Sequence, residues 1–288
     1  MGELRQGRLE RREPARKYLR ESEQRALLAV GTLRLCTAAH VRRLCGWGDP
    51  SAATRALRHL YNAGYVDRPP VPRNKLEADA PAFGGSPPAL YAVTRKGWKY
   101  LVEGGFLTAA DRDRHAPSVN PGSSLRIAHE LMVRDAYCWL AECLRSHPSH
   151  ELEEWLDGPD CWLPAVKPDA RFAYRLPSGA RLLACVECDR GTEGTAQWQG
   201  KAAQYLRLFA GANEPWRMLA IAADPAGRER IAGAVSSELL RQGVRAAGRF
   251  AVAAAGDLSG GLSAPVWRVE GLDGMAPLVA REALETTA

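Results

Sequence analysis

Apolar residues recur at helical spacing three times in the first third of the chain, and further on they gather into short strand-like runs. In "ESEQRALLAVGTLRL", which begins at residue 21, Leu27, Leu28 and Val30 form a first apolar stripe. "TAAHVRRLCG" predicts a second helix, capped by Thr37 and closed at Gly46. "DPSAATRALRHLYNAGYV" predicts a third, with Asp49 as cap, Pro50 in the first turn and Gly64 just past the end. On it Ala53, Leu57, Leu60 and Tyr61 share one face, while Ser51, Thr54, Arg55, Arg58 and Asn62 lie opposite. Strands at "YVDRPPVPR" and "ALYAVT" flank a Pro- and Gly-rich loop that runs to Pro88, and Thr94 caps a further helix, "RKGWKYLV".

Residues 107–123 are polar and rich in breakers, which predicts a linker. Beyond it "SLRIAHELMVRDAYCWLAECL" is an amphipathic helix with Leu125, Ala128, Met132, Ala136, Trp139, Leu140 and Cys143 on one broad side. "AVKPDARFAYRL" and "GARLLACVECD" read as two strands around a Pro-Ser-Gly turn, with an extra strand near "EWLDGPDCWL". A helix over "TAQWQGKAAQYLRLFA", weakened by Gly200, leads to the strand "WRMLAIAAD" and the helix "GRERIAGAVSSELLRQ". "RFAVAAAGDL" and "APVWRVEG" supply further strands. The order predicts an α/β layout with a central mixed sheet over 124–272 and a tail at 273–288.

Charge separates the two halves. The net +6 over 288 residues hides a front of 100 residues with 19 Lys and Arg against 9 Asp and Glu, and a remainder with 20 against 24. A basic front predicts a polyanion as its partner, and the basic arm at 1–20 (Arg5, Arg8, Arg11, Arg12, Arg16, Lys17, Arg20) reads either as a grip on phosphates or as a solubilising tail. No apolar run is long enough for a membrane span and the N-terminus lacks the apolar core of a secretory signal, so a cytoplasmic location without membrane contact is expected. Seven scattered cysteines predict buried free thiols, Cys185 and Cys188 included.

The strand ending "VECDRGTE" poses the chemical question, because an apolar run delivers Glu187, Asp189 and Glu193 together. Alternation puts Glu187 and Asp189 on one face, and a hairpin partner brings Asp169 alongside. Clustered carboxylates repel unless something neutralises them, and oxygen-only ligation selects a hard ion such as Mg2+ or Mn2+. Lys201, on the next helix with Gln197 and Tyr205, is placed to stabilise charge on a phosphate. A structural reading stands beside this one: Asp169 as a turn acid, Glu187 and Asp189 paired with Arg190 or Arg171, Glu130 an exposed helical acid.

Roughly residues 22–105 resemble winged helix-turn-helix DNA-binding domains, on "LYNAGYV" before the wing and "YAVTRKG" at its end. The resemblance implies a winged helix over 21–106 that binds double-stranded DNA, through Ser51, Thr54, Arg55 and Arg58 and, in the wing, Arg73 and Lys75. The rear half resembles the PD-(D/E)XK nuclease superfamily on "KPDARF" and "VECD". That implies Asp169, Glu187 and Asp189 as metal ligands, with Lys201 and Glu130, which follows His129, completing the catalytic set. One departure stands out: the lysine that usually follows the acid by two positions is Asp189 here, and Lys201 has to serve from the helix. Over roughly 22–225 the motifs "HELMVRD", "KPDARF", "ECDRGTE" and "KAAQY" resemble the replication-relaxation proteins of actinobacterial plasmids and integrative elements. Two outcomes stay open: a Mg2+- or Mn2+-dependent endodeoxyribonuclease serving mobile-element replication or mobilisation, or an inactive DNA-binding factor that uses the fold for dimerisation or for other replication or transfer proteins.

Overall fold

The computed structural model describes residues 11–12, 18–69, 88–115, 124–245 and 248–279. Contacts gather into two compact units, Met1–Arg134 and Asp135–Ala288.

In the first unit, α1 (Glu21–Leu33), α2 (Ala38–Cys45) and α3 (Pro50–Asn62) pack around Leu27, Val30, Leu33, Val41, Leu57 and Leu60, all buried. Leu28, assigned to the first stripe from sequence, is only half-buried, and Ala26 and Leu33 complete the stripe instead. Thr37 caps α2 through its side chain, which accepts from the His40 amide, and it also sits in β1 (Cys36–Thr37). β1 and β2 (Val66–Asp67) both pair antiparallel with β3 (Leu90–Val93), giving the order β1-β3-β2. Asp49 caps α3, accepting from the Ser51 amide, as its position before Pro50 predicts. Hydrogen bonds from Arg55 and Ser51 hold the Asp49 carboxyl down at about 2.

α4 (Arg95–Glu103) starts from Thr94, whose hydroxyl accepts from the Gly97 amide and donates to the carbonyls of Gly64 and Tyr65. The helix closes so tightly on Tyr65 that a Cβ at Gly97 would run into its carbonyl oxygen. Part of the stretch read as linker is helical: α5 (Ala109–His115) forms because Thr108 and Asp111 cap one another, side chain to backbone, at 2.8 and 3.1 Å.

α6 (Ser124–Ser146) crosses the boundary between the units. The sequence assigns it wholly to the rear half, but Ile127 and Leu131 in its first turns pack with Leu90 and Leu35 of the first unit.

The second unit is built on a six-stranded sheet, β4-β5-β6-β7-β8-β9. β4 (Glu151–Asp157), β5 (Ala170–Arg175) and β6 (Arg181–Asp189) run antiparallel, and β6, β7 (Arg217–Ala222) and β8 (Phe250–Ala254) run parallel. Parallel neighbours need long crossovers, which α7 (Thr195–Gly211) and α8 (Pro225–Gln242) supply. β9 (Arg268–Val269) closes the edge antiparallel to β8. Trp198, Ala202, Tyr205 and Phe209 of α7 and Ile231, Val235 and Leu239 of α8 cover one face of the sheet. The stretch read as a tail is anchored as far as it is described, with Ala276 bridging Trp267 and the Leu278 carbonyl accepting from Arg217 at 2.8 Å. All seven cysteines are buried, and none is in a disulfide. Among the described residues no helix is long and apolar enough to cross a membrane.

Two helical glycines have opposite expected outcomes. Nothing lies within 4 Å of a Cβ built at Gly200, so Gly200→Ala should stabilise by ~0.5–1 kcal/mol through helix propensity. Gly97→Ala should lower the melting temperature despite the same propensity gain, because the added methyl meets backbone. Thermal unfolding followed by circular dichroism separates the two.

Candidate functional site

The end of β6 gathers the acids that the sequence singles out. Alternation directs Cys185, Glu187 and Asp189 to the face covered by α7, where all three are buried. On α7 the 3.6-residue period sets Trp198, Lys201 and Tyr205 on one side above them. Each oxygen of Glu187 takes one of these groups: Oε2 lies 2.8 Å from Lys201 Nζ, and Oε1 accepts from the Tyr205 hydroxyl at 2.6 Å. The Lys201 ammonium also lies 2.8 Å from Glu193 Oε2 and 4.7 Å from the centre of the Trp198 ring.

Asp169 joins from β5's entry. The ladder that pairs Ala170 with Val186 places Asp169 opposite Glu187, one step further on. Its amide donates to the Val186 carbonyl at 3.0 Å and its Oδ2 accepts from the Cys188 amide at 2.7 Å, so the carboxylate ties its strand to β6 beside Glu187.

These surroundings decide protonation. Burial pushes the Glu187 carboxyl up and the Asp169 charge adds to the push, against the pull of Lys201 and the hydrogen bonds. Burial works against the Lys201 ammonium, but Glu187 and Glu193 outweigh it, and its pKa lies above the ordinary lysine range. Tyr205 is driven well above 10 by burial and by Glu187, so it stays a neutral donor.

Asp189 faces the same way but does another task. Its Oδ1 accepts from the amides of Gly191, Thr192 and Glu193 at 2.8, 3.1 and 3.4 Å. Its Oδ2 accepts from Trp198 Nε1 at 3.3 Å and Arg230 Nη2 at 2.8 Å. The carboxylate thus folds the turn that starts α7 and fastens α8 to β6. The local sequence offers Arg190 and Arg171 as partners for this acid. Arg230, 41 residues on, carries no local signal and emerges only once α8 has packed. Gly194 caps α7, with Gln197 reaching back to its amide at 2.7 Å. Glu130 pairs along its own helix with the buried Arg134 at 2.9 Å. Among the described residues, no group of three or more His, Cys, Asp or Glu side chains is placed to hold a metal ion.

In the first unit Ser51, Thr54, Arg55 and Arg58 are all exposed on α3, opposite the buried Ala53, Leu57 and Leu60. Arg55 is tied back to the helix start, bonding Ser51 and, at 2.7 Å, Asp49. Arg11 reaches the other end, 3.5 Å from Asp67 and 5.1 Å from the centre of the Tyr61 ring. Arg73 and Lys75 lie outside the described residues.

Losing Lys201 strands a buried carboxylate. Lys201→Met should cost ~3 kcal/mol at neutral pH, and Glu187→Gln in the same chain should recover most of it. The pH dependence has a definite sign: a carboxyl whose folded pKa exceeds its unfolded one binds its proton more tightly in the fold, so its protonation stabilises. The deficit of Lys201→Met should therefore shrink as pH falls below neutrality, measured by urea unfolding.

The model of the replication-relaxation family matches residues 27–220. Among curated proteins and among solved structures nothing matches the chain.

Proposed function

The chain belongs to the replication-relaxation family, and from that premise we propose a DNA-binding protein of mobile-element replication or mobilisation whose second unit acts on a phosphodiester. The observation that carries the second part is the Lys201 ammonium delivered from α7 to within 2.8 Å of Glu187, opposite Asp169. The order α6-β4-β5-β6-α7-β7 around a mixed sheet supports a PD-(D/E)XK-like reading of this unit. Three helices with β1 between the first two, followed by β2 and β3 of the same β1-β3-β2 sheet, support a winged helix in the first, with α3 as the element that enters the major groove.

Asp169 and Glu187 oppose each other and offer oxygen ligands, and Mg2+ commonly takes only one or two carboxylates and fills its shell with water and phosphate. That pair would hold Mg2+ or Mn2+, each Glu187 oxygen having a single protein donor to share with it. Asp189 is excluded by its load, since its two oxygens accept from three amides, an indole and Arg230. A cation held by the pair supplies Lewis acidity to the phosphate. Lys201, protonated, offers fixed positive charge to the phosphate oxygens, and Tyr205 keeps Glu187 from rotating away. Asp189 acts as a positioning residue that sets where α7 begins and so where Lys201 stands.

A second reading, an inactive factor that keeps the fold for partners or dimerisation, is favoured by one observation. Lys201 is shared between Glu187 and Glu193 rather than turned outward to a substrate.

Incubation with supercoiled DNA in Mg2+ or Mn2+ separates the readings. Nicking that needs the cation and falls at least ~100-fold in Asp169→Ala, Glu187→Gln and Lys201→Met supports the enzyme. Intact DNA with undiminished binding supports the second reading. For the first unit, Arg58→Ala should weaken duplex binding across sequences and reduce the salt slope of log K by about one; titrations at several salt concentrations check it.

A further inference from the structure

A cavity of about 680 Å3 opens in the first unit beside the exposed face of α3. Arg12, Arg58 and Arg68 line it, with Tyr61, Tyr91 and Asn62. The three guanidinium groups come from separate places: Arg58 from α3, Arg68 from the chain after β2, and Arg12 from the N-terminal segment, where its amide donates to Asn62 Oδ1 at 3.3 Å. Among the described residues that line the cavity none is acidic. Asp67, next in sequence to Arg68, faces Arg11 at 3.5 Å. Three like charges around one hollow repel one another until an anion enters.

The walls say which anion. Tyr61, half-buried, gives the cavity aromatic surface, while Tyr91 is 8% exposed and has Arg68 over its ring, 5.8 Å from the centre. Thr54 and the Asn62 amide add groups able to hydrogen-bond the edge of a base. A backbone phosphate of intact duplex needs only an outward cation, not a hollow of this volume with aromatic walls. Cations with aromatic stacking surface are what single-stranded nucleic acid uses, since an unpaired base has both faces exposed.

We infer that this cavity seats an unpaired nucleotide next to the duplex held by α3, so that the substrate is DNA with a melted or flapped end. The inference rests on the DNA-binding reading of the first unit and narrows its substrate class. A replication factor that recognises the edge of a melted region would combine one duplex-facing helix with such a hollow.

Fluorescence anisotropy at fixed salt, with the full chain and three labelled DNAs of one sequence, tests it: blunt duplex, duplex with a short unpaired flap, and single strand. The flapped duplex should bind about tenfold tighter than the blunt one, the scale of one stacked base. Tyr61→Leu and Arg68→Gln should each abolish that preference and leave blunt-duplex affinity unchanged, and Tyr61→Trp should retain it. Equal affinity for blunt and flapped duplex, or variants that weaken both alike, overturns the inference. Binding to single strand alone, lost in Tyr61→Leu, upholds the cavity and overturns the duplex role of α3. No binding to any of the three overturns both.

Discussion

A carboxylate taken out of water has to be met by donors, and β6 buries two, Glu187 and Asp189, within three residues. Each would be worth several kcal/mol of lost solvation if left unanswered. The structure answers Glu187 with Lys201 and Tyr205, one turn apart on α7, and Asp189 with three amides of the turn, an indole and Arg230 of α8. The two helices that cover this face are thereby fixed in register by the strand they cover. Apolar packing of Trp198, Ala202 and Ile231 would tolerate small slips; a lysine and a phenol that must each meet one oxygen of the same carboxylate would not.

Much of this was legible in the sequence, where period and alternation were strong. The third helix with its Asp49 cap, the hairpin of β5 and β6, and the crossovers α7 and α8 all follow from local pattern. So does the shared face of Glu187 and Asp189, since strand geometry fixes it whatever the fold. Local pattern was blind to pairings set by packing. Asp189 lies beside Arg190 in sequence yet bonds Arg230, and Glu193 reaches Lys201 only because the turn folds back. The helix at Ala109–His115 was missed for another reason: a polar stretch with charges of both signs reads as linker unless the Thr108 and Asp111 pair is recognised as a cap.

In the nuclease-like reading, the shift of the lysine from 189 to α7 has a physical explanation in the same turn. A lysine at 189 would point an ammonium at three backbone N–H groups and at Arg230, with no acceptor among them. A chain that uses this position as the hub of its strand-to-helix turn therefore has to bring its cation from elsewhere. The position of α7 one turn above Glu187 offers the nearest route.

The buried thiols have a consequence of a different kind. Burial pushes Cys143, Cys161 and Cys185 up to about 12 and Cys188 well above the ordinary thiol range, so in the fold these four offer alkylating reagents very little thiolate. Alkylation then becomes a clock of opening. Cys36 and Cys45 lie in the first unit and the other five in the second, so peptide mass spectrometry reads two clocks from a single unmodified protein. Whether added DNA slows one clock, both or neither would read its effect on each unit separately, with no label introduced.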